Sequence, residues 1–245
     1  MNKISEWIKQ YCDRYDIKSL VVGVSGGIDS ALTSTLCALT DIKTILLTMP
    51  IHQAPDQYLR ALRHIEWLKD KYGNVSCRDI DLSSVYDVFV SGLDVTERDE
   101  LALANSRARL RMTTLYQIAQ VHDGIVVGTG NKVEDFGVGF FTKYGDGGVD
   151  ISPIANLTKT DVREMAKQLG VCEEILAASP TDGLWDDGRT DEDQIGATYE
   201  ELEWAMEYDG VSELTHRQKE VIKIYTKLHT QNKHKMIPIP IYQGN

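Results

Sequence analysis

Leu20-Val21-Val22-Gly23-Val24-Ser25-Gly26-Gly27-Ile28-Asp29-Ser30 is the stretch on which the fold turns. A short, β-branched apolar run stops at two adjacent glycines, and a helical pattern takes over from 29 to about 39. The run has the length of a buried strand. Adjacent glycines let successive amide N–H groups turn toward one point, which makes an anion-binding nest of Gly23, Val24, Ser25, Gly26, Gly27, Ile28, Asp29 and Ser30. The following helix adds its positive N-terminal end. The Ser25 and Ser30 hydroxyls can donate to phosphate oxygens. The loop is neither a Walker sequence, which needs Lys-Ser/Thr after the glycines, nor a GxGxxG turn. Asp29 is the odd member. A carboxylate beside a polyphosphate repels it unless a divalent cation lies between them, so Asp29 points to Mg2+. The plainer alternative is a Gly-Gly turn with Asp29 as a first-turn carboxylate stabilised by the helix dipole.

Outward from this loop, strands and helices alternate. Ile4, Trp7, Ile8, Tyr11 and Tyr15 recur at helical spacing, so the chain opens with an amphipathic helix. Residues 43–48 (KTILLT), 75–80 and 124–128 read as further strands, and 55–71 and 97–122 as helices. This order predicts a Rossmann-like α/β fold, an open parallel sheet flanked by helices. Such sheets bind ligands at the carboxyl ends of their strands, where the strand order switches. The second half differs. Residues 136–150 (FGVGFFTKYGDGGVD) are too rich in glycine for a helix and too aromatic for a passive linker. Helices resume at 159–169, about 198–208 and about 215–232. The polar, turn-rich 180–193 reads as a mobile loop, and the final MIPIPIY is held extended by its prolines. No clean domain boundary interrupts the chain.

At 245 residues and 42% hydrophobic composition, the chain can bury a core as one large domain or two small ones. A net charge of −11 argues against a nucleic-acid partner, so any polyanionic ligand must be met by local cations, amides or a metal. Cys12, Cys37, Cys77 and Cys172 form no CxxC pair and no zinc spacing, which reads as reduced thiols in a cytoplasmic protein. The N-terminus lacks a signal-peptide core, and no apolar run is long enough to span a membrane.

SGGIDS (25–30) resembles the SGGxDS loop of the ATP pyrophosphatase family, enzymes with the adenine nucleotide alpha hydrolase-like fold that cleave ATP between its α and β phosphates. Four further segments are similar to NAD synthetases. They are Asn105-Ser106-Arg107-Ala108-Arg109-Leu110-Arg111-Met112, then Gly128-Thr129-Gly130-Asn131 with Glu134, then FTKYGDGGVD (141–150). The last set is Leu157-Thr158-Lys159, Pro180-Thr181, Asp191-Glu192 and His234-Lys235. FTKYGDGGVD is the most specific of these. The resemblance implies ATP-dependent amidation of deamido-NAD to NAD by ammonia through an adenylated carboxylate, a ligase reaction that ends NAD biosynthesis.

The resemblance also implies residue roles. Asp29 and Glu134 would hold Mg2+ and, with Lys159, serve catalysis. The loop 23–30, Thr129, Lys159 and Thr181 would contact ATP. Arg109, Lys143, Asp150, His234 and Lys235 would contact deamido-NAD, the last two from a neighbouring subunit. Phe140, Phe141 and Tyr144 could stack on the nicotinate ring. Taken alone, Glu134 is equally a helix-start carboxylate, Lys159 a solvated lysine, and Arg111 a surface ion-pair partner. Arg107, Arg109 and Arg111 spread around a helix and cannot all face one ligand. The synthetase pattern takes up residues 1–245, so one domain without a built-in glutaminase is expected, in a homodimer. A tRNA-thiolating relative would want paired cysteines and a basic face, and a nucleotide sensor need not keep Asp29 and Glu134.

Overall fold

The computed structural model describes residues 2–180 and 190–244. Four strands form one parallel sheet: β1 (Ser19–Gly23), β2 (Lys43–Thr48), β3 (Val75–Asp79) and β4 (Gly124–Val126), in the order β3-β2-β1-β4. The chain therefore builds outward from β1 to β3, then returns to add β4 on the other side of β1. That reversal opens a crevice between the carboxyl ends of β1 and β4.

Both faces of the sheet are covered, so its strands are apolar on both sides. Leu20, Val22, Leu46 and Ile125 point to one face, where α1 (Lys3–Tyr15), α2 (Ile28–Ala38), α3 (Pro55–Lys71) and α6 (Lys159–Leu169) pack. Val21, Ile45, Leu47 and Val126 point to the other, against α4 (Ser83–Ser91) and α5 (Glu100–Val121). The strict alternation is the period-2 geometry of a strand. The short helix α7 (Glu173–Leu176) closes the first face through the buried Ile175.

A third apolar cluster sits beyond the end of the sheet. It joins a π-helical segment (Lys132–Val138) to α8 (Asp191–Ile195), α9 (Tyr199–Glu207) and α10 (His216–Met236), around Val133, Tyr199, Leu202 and Val221. Capping boxes at Thr190, Thr198 and Thr215 start its three helices.

The structure departs from the sequence expectation in four places. Residues 136–138 are helical despite their glycine. Gly137 packs closely against α9, with the position a Cβ would take lying 2.9 Å from Met206 Sδ. Asp191 to Asp193, read as loop, start α8, and 181–189 lie outside the described residues. The α10 helix runs on to Met236, which puts His234 and Lys235 on its last turn rather than in the tail. The helix α4 has no counterpart in the sequence reading, because SSVYDVFVS is β-branched and aromatic.

Candidate active site

A cleft of about 670 Å3 opens at the carboxyl ends of β1 and β4, lined by the whole of 23–30. The loop holds its own shape. The Ser30 hydroxyl donates to the Gly27 carbonyl (2.9 Å), and the Ser25 and Gly27 N–H groups donate to the Ser30 and Ser25 hydroxyl oxygens, each at 3.2 Å. Gly26 lies in the left-handed region (φ +88), and a Cβ there would stand 2.3 Å from the Gln57 carbonyl oxygen. Glycine is what lets the first turns of α3 press on the loop.

Asp29, on the first turn of α2, meets Glu134, on the π-helical segment, through one amine. Lys159 Nζ donates to Asp29 Oδ2 at 2.6 Å and to Glu134 Oε1 at 3.0 Å. Lys159 starts α6 and its side chain is 2% exposed. A cation is disfavoured at a helix N-terminus, so the two carboxylates, not local structure, hold it there. Burial would lower its pKa, but Asp29 and Glu134 more than offset this and it is raised. Burial raises Asp29, helped by the charge on Glu134 and outweighing the Lys159 ammonium. For Glu134 burial acts upward too, but Lys159 and the Tyr199 hydroxyl prevail and its pKa falls.

Asn131, fully buried, ties the carboxylates together. Its Nδ2 donates to Asp29 Oδ1 (3.1 Å), while its Oδ1 accepts the N–H groups of Val133 and Glu134 (3.0 and 3.1 Å) and so caps the π-helical segment. Single π-helical turns recur where function needs an irregular side-chain placement. Tyr199, on α9, donates its hydroxyl proton to Glu134 Oε1 at 2.5 Å, and Lys159 Nζ stands 4.6 Å from its ring centroid.

The opposite wall is basic and aromatic. Arg109 donates to the Lys143 carbonyl (3.4 Å), Lys143 Nζ to the His234 carbonyl (3.0 Å), and Lys235 Nζ to the Phe141 carbonyl (2.7 Å). Phe140, Phe141 and Thr129 also line the cleft. Of the residues marked in the sequence, the loop, Asp29, Glu134, Lys159, Thr129, Arg109, Lys143, His234 and Lys235 thus share one cavity. His234 and Lys235 line the cleft of their own chain. Asp150 does not line the cavity. Its Oδ2 accepts the Val126 N–H (2.8 Å) and its Oδ1 the Tyr116 hydroxyl (3.1 Å), which ties it to β4 and α5. Tyr144 is also outside, 52% exposed, and Thr181 falls outside the described residues.

Arg111 corrects the surface reading. It lines the cleft, donates Nε–H to the Met49 carbonyl (3.0 Å), and burial with the nearby Arg107 charge lowers its pKa to about 10. Arg107 does not line the cavity and stacks over Tyr86 instead (5.7 Å). Asp135 and Asp146 also line the cleft, and burial with the Glu134 and Asp146 charges raises Asp135 to about 8. The sequence signal for Asn131 was there in GTGN, whereas Tyr199 carries none.

Asp29 and Glu134 could hold a cation as a pair. Among the described residues no group of three or more His, Cys, Asp or Glu side chains could do so. Two carboxylates suit Mg2+, which binds through one or two of them plus substrate phosphates and water. An anion nest and this pair, facing a basic, aromatic wall, can hold a polyphosphate against a second nucleotide. Among the described residues no cysteine lines the cavity.

The sequence and the fold are similar to those of known proteins. The NH(3)-dependent NAD(+) synthetase of Carboxydothermus hydrogenoformans is 40% identical over 217 residues, 86% of this chain and 86% of its own. The NMN synthetase structure from Francisella tularensis superposes with a TM-score of 0.86 at 35% identity, covering 99% of this chain and 96% of that one. The NH3-dependent NAD synthetase of Campylobacter jejuni gives 0.78 at 26% identity, over 98% and 96% of the two chains. The pattern that defines the NAD synthase family matches residues 1–238, and with loop, bridged carboxylates and basic wall all within that span, the chain belongs to this family.

Proposed function

We propose that the protein joins ammonia to the carboxylate of deamido-NAD, consuming ATP and releasing NAD, AMP and pyrophosphate. The observation that carries the reading is the Asp29–Lys159–Glu134 bridge beside the glycine loop, whose one surplus negative charge suits the cation of a leaving pyrophosphate. A carboxylate resists nucleophiles because of its own charge. One of its oxygens attacks the α-phosphorus of ATP, and the bond to the bridging oxygen breaks as pyrophosphate leaves. Ammonia then attacks the acyl carbon, the acyl–oxygen bond to AMP breaks, and a proton is lost from nitrogen. Both steps build charge on oxygen, so positioning and electrostatics dominate.

In this reading the loop amides and Lys159 receive the β and γ phosphates, and Thr129 and Thr181 contact ATP. Arg109, Lys143, His234 and Lys235 orient the dinucleotide, and Asp150 contacts it from outside this cavity. Bound Mg2+, held by Asp29 and Glu134, would neutralise charge on the leaving pyrophosphate. The similarity to NH(3)-dependent NAD(+) synthetases favours free ammonia over glutamine as the nitrogen source. The test is product analysis with each substrate omitted in turn. NAD, AMP and pyrophosphate should form together and only with all three. ADP and phosphate, or equal rates with glutamine, would overturn the reading.

One comparison favours a second acceptor. The 0.86 superposition is with an NMN synthetase, whose product is a mononucleotide. Nicotinate mononucleotide presents the same carboxylate to the same loop. Comparing kcat/KM for the mononucleotide and dinucleotide acids decides between them.

The reading also includes a homodimer and a cytoplasmic location. Val85, Val88 and Phe89 form an exposed apolar stripe on α4, and Leu101 on α5 is exposed at the cleft wall. The four free cysteines suit a reducing compartment. No described helix is long and apolar enough to cross a membrane.

A further inference from the structure

We propose that Tyr199 is a positioning residue for the cation site, holding Glu134 in the orientation that meets the metal. The proposal rests on the reading of Glu134 as a metal ligand. Tyr199 is the largest fully buried side chain in the protein's described part, and its hydroxyl is not spent on packing. The oxygen lies 2.5 Å from Glu134 Oε1 and 3.3 Å from Asp191 Oδ2. A phenol has one proton to give, and the shorter contact takes it. A hydrogen bond to an ionised carboxylate is stronger than a neutral one.

Lys159 Nζ donates to the same oxygen of Glu134, so two donors fix the carboxylate about Oε1 from different directions. The two donors also touch each other, since the ammonium lies over the phenol ring. They differ in one respect. Lys159 is shared with Asp29, whereas the Tyr199 hydroxyl meets Glu134 and not Asp29 among the hydrogen bonds of the site. An arriving cation competes with Lys159 for both carboxylates but leaves the Tyr199 bond intact. Tyr199 is thus the anchor that persists while the charge around Glu134 changes.

The placement of Tyr199 is rigid. Its backbone N–H donates to Glu192 Oε1 (2.9 Å), at the start of α9 behind the Thr198 capping box. Asp191, the other carboxylate near the phenol, starts α8, and its N–H donates to the Pro180 carbonyl (3.1 Å). The hydroxyl therefore stands where the third apolar cluster meets the cleft, and it carries that cluster's rigidity to Glu134.

The test is Tyr199→Phe, which keeps the ring and removes the donor. Loss of an outer partner of a metal ligand typically costs about 10–100-fold in metal affinity. Tyr199→Phe should raise the Mn2+ concentration for half-saturation, read by electron paramagnetic resonance with ATP present, at least tenfold. The Mg2+ dependence of kcat should move in parallel, with KM for the nicotinate nucleotide unchanged. Glu134→Gln is the control. If it leaves Mn2+ binding unchanged, the metal reading of Glu134 falls. If it weakens binding but Tyr199→Phe does not, the Tyr199 proposal falls alone. A second measurement compares Glu134→Gln/Tyr199→Phe with Glu134→Gln. The second change should then add nothing to the metal dependence, and a further tenfold loss would overturn the proposal.

Discussion

At the scale of single residues, the site is a problem in charge balance. Lys159 offsets one of the two negative charges of a carboxylate pair that is itself largely enclosed, with side chains 18% and 16% exposed at Asp29 and Glu134. Removing one partner of a buried ionic group leaves the other charge uncompensated, at a cost of about 3–5 kcal/mol. Lys159→Met should lose about that much stability at pH 7 by urea unfolding without ligands. The loss should shrink toward pH 4 as the stranded carboxylates take up protons. An unchanged midpoint at pH 7 would mean the bridge is not formed in solution. Asp135 gives the opposite kind of test. Its carboxyl is pushed from 3.8 to about 8, by burial first and then by Glu134, Asp146 and Asp29. Between those values the folded chain keeps a proton that the unfolded chain has released, so stability falls as pH rises through the window. Above about 8 both states are ionised and the slope ends. Asp135→Asn should flatten this slope and stabilise the free protein more at pH 8 than at pH 5, and parallel pH profiles would refute it. Asp29, Glu134 and Lys159 were each legible in the sequence as parts of one site, but the bridge of Lys159 between the two carboxylates was not. Lys159 lies 130 residues from Asp29, and its amine is placed by tertiary packing. Tyr199 was invisible because a tyrosine at a helix start is equally a packing residue. Arg111 stayed open between cleft and surface because its contact is with the Met49 carbonyl just beyond β2, not one set by helical spacing.

At the scale of elements, the strands and long helices followed from local pattern. Residues 43–48, 55–71 and 159–169 match their observed elements end to end. They are bounded by signals the chain carries itself: Pro55 at the first turn of α3, and Thr158 and Gly170 capping α6. The failures lie where a distant partner decides. The α4 helix forms from poor helix formers, and α8 is set by Thr190 and packing against α9 and α10. The phosphate loop shows the limit most clearly. Its two glycines look alike in sequence, yet the structure separates them. Gly26 has φ +88 and a backbone oxygen 2.3 Å from where a Cβ would stand, while the nearest atom to a Cβ on Gly27 is Ser25 Oγ at 3.4 Å. Gly27 is the N-cap of α2 with ordinary φ of −91. Gly26→Ala should therefore cost about 1–3 kcal/mol or more and disturb the contact with α3. Gly27→Ala should cost about 1 kcal/mol or less. Thermal unfolding of the two variants separates them, and equal melting temperatures would show that the loop is not held against α3.

At the scale of the whole molecule, a chain of net charge −11 gathers Arg60, Arg109, Arg111, Lys143, Lys159 and Lys235 around one cavity. Asp29, Glu134, Asp135, Asp146 and Asp191 line the same cavity, so nucleotide phosphates meet these placed cations rather than a generally basic surface. The cavity is walled by α5, and α5 packs beside α4, whose outer side is apolar: Val88 is 72% exposed and Val85 51%. Residues 85, 88 and 89 follow one another at helical spacing, so they form a single stripe. A contiguous apolar patch is costly to leave in water and marks an interaction surface. A second copy of the chain is the simplest occupant, because a two-fold contact makes one stripe complementary to itself. Val88→Asp puts a charge in the middle of that stripe without touching the core, so the monomer should fold with its melting profile little changed. Sedimentation should show the parent chain as a dimer and Val88→Asp shifted toward monomer. Since α5 carries Arg109 into the cleft, the monomer should also bind the nicotinate nucleotide more weakly, while ATP binding at the loop on α2 persists. A parent chain that sediments as a monomer, or a variant that stays dimeric, would remove the stripe from the interface. Loss of ATP and nicotinate nucleotide binding together would instead place the two-fold contact closer to the phosphate loop than α4 and α5 put it.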